Sequence, residues 1–172
     1  MTEDARAETG VGAELFHEVE QFLFREARLA DESRYREWEA LVEDDMIYWI
    51  PLGEGDFDPS KDLSITYDNR ARLANRIKQL DTGNRLSQKP ASAMRRMISN
   101  IEVAQTSQGD LHVFSNFVLY ELAKQSGRGL EVWPGRAEHR LRRRQDGSLA
   151  MFFKKAMLVT GSGPVRSMAF IL

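Results

Sequence analysis

A change of hydrophobic period divides this chain and limits its fold more than any other feature. Up to Leu80, apolar side chains recur mainly every three to four residues, the spacing that gives a helix one dry face. From Met94 onward the period is two, the spacing of a strand with alternating faces, and no helical stripe returns. Helices from the first half must therefore pack on a sheet drawn mainly from the second. That pattern is α+β rather than an alternation of strand and helix.

Within the first half, Leu15, Phe16, Val19, Phe22 and Leu23 predict a helix from about Ala13 to Ala30. Asp31 or Ser33 can cap a second, shorter helix in which Tyr35, Trp38 and Leu41 face one way. After Asp44 and Asp45, the run Met46 to Ile50 is rich in strand formers, and Pro51 ends it because proline cannot donate to a ladder. This early strand is expected at the sheet edge. GEGDFDPSK, from Gly53 to Lys61, is turn chemistry. A third helix is predicted from about Tyr67 to Leu80, with Leu73, Ile77 and Leu80 on one face and Asp81, Thr82 and Gly83 closing it. Met1 to Gly12 is polar and aperiodic, so residues 1–12 read as a mobile arm and 13–172 as one domain. A chain of 172 residues buries roughly 70 % of its extended surface, so one core suffices.

Turn residues mark the strands of the second half: Met94 to Gln105, Leu111 to Gln125, Leu130 to Arg143 and Leu149 to Thr160, separated by SQGD, SGRG and QDG. They predict a meander of long antiparallel hairpins. In the first strand Met97, Ile101 and Val103 alternate with Asn100 and Glu102. In the second, Leu111, Val113, Phe117 and Leu119 lie opposite Phe114, Val118, Tyr120 and Leu122, so both faces want cover. Met151, Phe153, Met157 and Val159 against Phe152, Ala156 and Leu158 repeat this in the fourth strand. One face can pack on helices; the other needs a curled sheet or a second protein.

Lys and Arg number 24 against 26 Asp and Glu, a net charge of -2 that offers nucleic acid or an anionic membrane no long-range attraction. No apolar run approaches the roughly eighteen residues of a membrane span, and a cytoplasmic location is expected. Cysteine is absent, which removes disulfides and thiol catalysis. It also removes any iron–sulfur cluster from this chain, since a Rieske centre needs two Cys with two His. The histidines, His17, His112 and His139, fall on three predicted elements, so no iron-binding facial triad is expected either.

Four stretches in order, REARLADESRYREWEALVEDDMIYWIP, KPASAMRRMISNIEV, VFSNFVLYE and WPGRAEHRLRRRQDG, resemble the small (beta) subunit of aromatic-ring-hydroxylating Rieske non-haem iron dioxygenases over nearly the whole chain. The resemblance departs after Gly161, where Gly161, Ser162, Gly163 and Pro164 interrupt the chain before a short apolar end. It implies a cystatin-like, nuclear-transport-factor-like cone with three N-terminal helices on a curved, mainly antiparallel sheet. It implies a structural beta subunit in aromatic compound catabolism, partnered by a large (alpha) oxygenase subunit in a three-plus-three hetero-hexamer with self-association around a three-fold. The Rieske [2Fe-2S] cluster and mononuclear non-haem iron belong, by the same resemblance, to the large chain. A ferredoxin and/or an NAD(P)H reductase supplies electrons.

Arg136, Glu138, Arg140, Arg142 and Arg144 occupy every second position of one strand and face one way; Trp133, Ala137, His139 and Leu141 face the other. A solvated face with ladder ion pairs and the rim of an interface are both open readings. Trp49, Phe114, Trp133 and Phe152 are candidate anchors, with Arg136, Arg140 and Arg142 as the rim. A different class of function rests on Asp45, Tyr48 and His139, which would have to converge as an acid/base set in the cone of a stand-alone lyase or isomerase. A cofactor-free binding module of the same fold is a third reading.

Overall fold

The computed structural model describes residues 9–53, 58–81, 91–124, 129–160 and 168–172. Its frame is the predicted meander: β4 (Ala93–Gln105), β5 (Leu111–Leu122), β6 (Leu130–Arg143) and β7 (Leu149–Leu158), each antiparallel to the next. The early strand β2 (Val42–Pro51) starts four residues before the predicted Met46 and runs parallel to β7. It is not the sheet edge. A short strand unseen in the sequence, β3 (Ser64–Asn69), pairs with it antiparallel, and a two-residue strand, β1 (Thr9–Gly10), pairs with β4 at the other end. The order is β1-β4-β5-β6-β7-β2-β3. Thr9 and Gly10 thus join the sheet from within the stretch read as an arm; residues 1–8 lie outside the described residues.

The helix α1 (Ala13–Asp31) lays Val19, Phe22, Leu23, Ala27 and Ala30 against the inner face of the sheet. The second helix, α2 (Tyr35–Glu39), is capped by neither Asp31 nor Ser33: its N-cap is Arg34, with no side-chain cap bond. Asp31 is engaged elsewhere, because its carboxylate accepts from the Arg96 backbone N–H at 2.8 Å and from Arg96 Nε at 2.7 Å. The third helix, α3 (Arg70–Asp81), buries Leu73 and Ile77 as predicted, yet Tyr67 belongs to β3. Asn69 marks the switch, its side-chain oxygen accepting from the Arg72 N–H at 3.0 Å as an N-cap does. Thr82 and Gly83, read as closing this helix, lie outside the described residues, as does Gln125 of the second predicted hairpin strand.

Strand parity on β4 departs from the prediction. Asn100, at φ 52°, and Ile101 oppose Ser115 alone, a bulge that flips the faces on either side of it. Met97 is consequently 66 % exposed while Val103 turns inward. β5 and β7 stop at Leu122 and Leu158, short of the predicted ends. The core closes with an element no periodicity announced: Phe170, Ile171 and Leu172 are buried among the helices and the sheet. Gly161 to Pro164, the departure noted above, lie outside the described residues.

Candidate functional site: the outer face of the sheet

Parity sends Phe114 and Val118 on β5, Arg136, Glu138 and Arg140 on β6, and Phe153, Lys155 and Met157 on β7 to the face away from the helices. At one end of that face each aromatic ring carries a cation. The Arg136 guanidinium carbon stands 4.9 Å from the Phe114 ring centroid, that of Arg140 4.9 Å from Phe153, and that of Arg142 3.9 Å from Phe152. Lys155 Nζ stands 4.4 Å from Trp49. A guanidinium stacked on a ring covers apolar surface while its several N–H groups point out from the ring edge, enough to serve a carboxylate of this chain and an outside acceptor as well. Carboxylates tune the set: Asp45 accepts from Arg142 at 2.9 Å, and Glu138 pairs with His112 at 2.7 Å and Arg140 at 3.2 Å. Burial pushes the Glu138 carboxyl up, but the bond with His112 and the Arg140 charge outweigh it and hold the group below the usual carboxylate range.

The other end of the same face is apolar and wet. Met97 and Val159 are each 66 % exposed, Leu130 62 %, and Val132, Tyr120 and Leu122 join them. Gly135 shapes the boundary, since a Cβ there would meet the Met157 carbonyl and the Phe117 ring. A groove of about 540 Å³ runs beside it, floored by Val118, Pro134 and Met157.

Of the predicted residues, Phe114, Phe152, Arg136, Arg140 and Arg142 share this face. Trp49 lies beneath Lys155 and Tyr67 at 5 % exposure, its indole N–H donating to Ser64 at 2.9 Å. Trp133 points inward, 7 % exposed, its N–H held by Glu121 at 3.1 Å, so its ring is committed to this chain's own core. Arg144 lies beyond the end of β6 and turns back to the carbonyls of Ala40 and Val42.

The acid/base triplet does not converge. Tyr48 and His139 face the core, whereas Asp45 is exposed on the outer face, as an odd spacing along a strand dictates. Beside His139 the interior holds a set the sequence reading missed. Glu26 accepts from Lys154 Nζ at 2.7 Å and from Trp38 Nε1 at 2.5 Å, both charged side chains no more than 3 % exposed. Burial would raise the Glu26 carboxyl, but the Lys154 and Arg96 charges hold it far below the usual range. Burial together with the Lys154 charge drives the His139 imidazole down to about 3, and neither ring nitrogen has a hydrogen-bond partner among the described residues. The signal was present: Lys154 falls at a core parity in MFFKKAML, and Glu26 on the dry face of α1.

No group of three potential metal ligands occurs among the described residues, and His112 and His139 point to opposite faces of the sheet. With no cysteine in the chain, its residues do not fit a Rieske cluster. The decisive comparison is with a family described as the ring hydroxylating beta subunit, whose model matches residues 25–162. The chain belongs to that family. Benzene 1,2-dioxygenase subunit beta of Pseudomonas putida is 29 % identical over 142 residues, 77 % of this chain and 75 % of that one. The 3-phenylpropionate/cinnamic acid dioxygenase subunit beta of Photorhabdus laumondii is 32 % identical, covering 69 % and 70 %. In fold, this dioxygenase beta subunit matches a naphthalene 1,2-dioxygenase structure with TM-score 0.81 at 19 % identity, covering 94 % of this chain and 88 % of that one. It is a component of an oxidoreductase complex of aromatic compound catabolism, with an alpha oxygenase subunit as its partner. No helix among the described residues is long and apolar enough to cross a membrane.

Proposed function

We propose that this beta subunit builds the terminal oxygenase by offering the outer face of its sheet to the alpha chain, in a three-plus-three complex. The observation that carries this reading is the continuity of two surfaces. Exposed Met97, Leu130, Val132 and Val159 supply area that water disfavours, and Arg136, Arg140 and Arg142 beside them supply oriented donors for a partner's carboxylates or carbonyls. Such an apolar centre with an arginine rim is the anatomy of a protein interface. The Rieske cluster and the mononuclear iron reside in the alpha chain, and a ferredoxin and/or an NAD(P)H reductase supplies electrons. The substrate is an aromatic ring, in keeping with the benzene and biphenyl enzymes whose beta subunits this chain resembles. A cytoplasmic location suits that assembly.

The stand-alone lyase or isomerase reading finds no support, because Asp45 is on the wrong face and His139 has no access to solvent. Co-expression with the alpha subunit tests the docking proposal. Wild type should give a particle of six chains by light scattering, with iron confined to the larger chain. Met97→Asp combined with Val132→Asp should leave a folded beta chain that no longer co-purifies. Full assembly of that double variant would overturn the assignment of the face.

A further inference from the structure

The segment Phe170–Leu172 belongs to no helix or strand, yet it is 5 %, 0 % and 2 % exposed in turn. Segments outside regular structure normally run over the surface, because their backbone groups would otherwise go unpaired. Here side chains pair them. The Arg96 guanidinium donates to the Ile171 carbonyl at 2.9 Å, and the Leu172 N–H donates to the Tyr48 hydroxyl at 2.9 Å. The Phe170 ring meets the Trp133 ring edge-on, centroids 5.7 Å apart at 76°. This is how a concave site recognises a ligand: apolar and aromatic walls with a few placed polar groups.

Two of the receiving groups, Arg96 and Trp133, are held in place by partners outside the segment. Asp31 fixes Arg96 through both its side-chain Nε and its backbone N–H, and the two side chains are 4 % and 6 % exposed. Glu121 fixes the Trp133 indole, and is fixed in turn by Ser92 at 2.8 Å. The walls come from β2, β4, β5 and β6, whose ladders do not include the segment. Groups anchored by partners other than their occupant make a preorganised pocket.

We propose that Phe170–Leu172 is a built-in ligand, and that its pocket takes in its place a small aromatic molecule carrying a hydrogen-bond-accepting carbonyl. The ring replaces Phe170 against Trp133, and the carbonyl replaces that of Ile171 on Arg96. The inference concerns the inner side of the sheet and stands apart from the docking proposal.

Hydrogen exchange and titration of the full chain test it. A ligand in place leaves by a local opening, so the wild-type Leu172 amide should exchange at least tenfold faster than the Val113 amide of β5. Acetophenone, a ring with a carbonyl, should bind Phe170→Ala at least tenfold more tightly than wild type, and at least tenfold more tightly than toluene binds the same variant. Tryptophan fluorescence and calorimetry read both titrations. Equal protection of the two amides would overturn the proposal, as would a folded variant that binds acetophenone no better than wild type does. If Phe170→Ala does not fold, Phe170→Leu carries the titration under the same criterion, and the wild-type exchange measurement decides independently.

Discussion

His139 displays what burial does to a titratable group that no described residue hydrogen-bonds. At 3 % exposure beside the Lys154 ammonium, the imidazole stays neutral down to about pH 3, whereas in the unfolded chain it titrates near 6.5. Between those values the unfolded state holds one proton more than the folded state at this residue. Stability therefore rises with pH through that window and is lost as pH falls, at about 1.4 kcal/mol per unit for one proton. Glu26 adds loss of the same sign further down, because its folded carboxyl titrates well below its unfolded value. Urea titrations at pH 6.5 and pH 5 should show His139→Leu sparing about 2 kcal/mol of the wild-type loss. Identical losses in the two chains would mean that His139 is not held neutral. The sequence placed His139 on the apolar side of its strand but could not name its neighbours, since Lys154 lies across the β6–β7 hairpin and Glu26 lies on α1, with two helices and four strands in between. Asp45 misled for the opposite reason: it is near Tyr48 in sequence, and an odd strand spacing sends it to the other face.

Buried ion pairs join elements here in addition to apolar contact. Glu26 ties α1 to Lys154 of β7, and Asp31 ties the end of the same helix to Arg96 of β4. A buried pair is costly to break because the survivor keeps an uncompensated charge, whereas replacing both partners by apolar groups is often near neutral. Lys154→Met should thus cost about 3–5 kcal/mol, and Glu26→Leu in the same chain should recover most of it. A double variant no more stable than the single one, by urea unfolding, would show that the pair contributes more than mutual compensation. Asp31 has a second task. Among the described residues β4 is open along most of its outer edge, since β1 covers only Ala104 and Gln105, and an open edge invites pairing with other chains. Asp31 occupies the Arg96 N–H, the Arg95 guanidinium occupies the Met94 carbonyl at 2.8 Å, and the Asn100 bulge interrupts what remains. Asp31→Ala should accordingly lose about 3–5 kcal/mol and self-associate as concentration rises in light scattering. A destabilised variant that stays monomeric would confine Asp31 to the ion pair. The meander, α1 and α3 were legible because each runs long enough for its period to show, whereas the five-residue α2 showed only through the spacing of Tyr35 and Trp38, and Leu41, read with them, lies past its end. β3 was not, because SITYDN passes straight into α3 with no breaker, and the β4 bulge was not, because one inserted residue leaves composition unchanged.

On the scale of the whole molecule, charge and shape are distributed unevenly. The chain is slightly acidic at -2, yet on the outer face Arg95, Arg136, Arg140, Arg142 and Lys155 stand against Glu102, Glu138 and Asp45. Parity along β6 made the arginine row visible in the sequence. Its stacking on Phe114, Phe152 and Phe153 was not, because cross-strand partners depend on register and on the bulge opposite Arg140. A face with surplus cations repels a copy of itself and attracts a carboxylate-bearing partner, so it favours the alpha subunit as its occupant. Such attraction acts mainly on the encounter rate and is screened by salt, the Debye length shrinking from about 30 Å at 0.01 M to about 8 Å at 0.15 M. Association with the alpha subunit should therefore slow as salt rises, measured by stopped-flow fluorescence. Arg136→Glu, at a half-exposed side chain, should slow it at least tenfold at low salt and flatten the salt dependence, with little change in unfolding midpoint. An association rate indifferent to salt in the wild type would assign recognition to the apolar end around Met97 and Val132 alone.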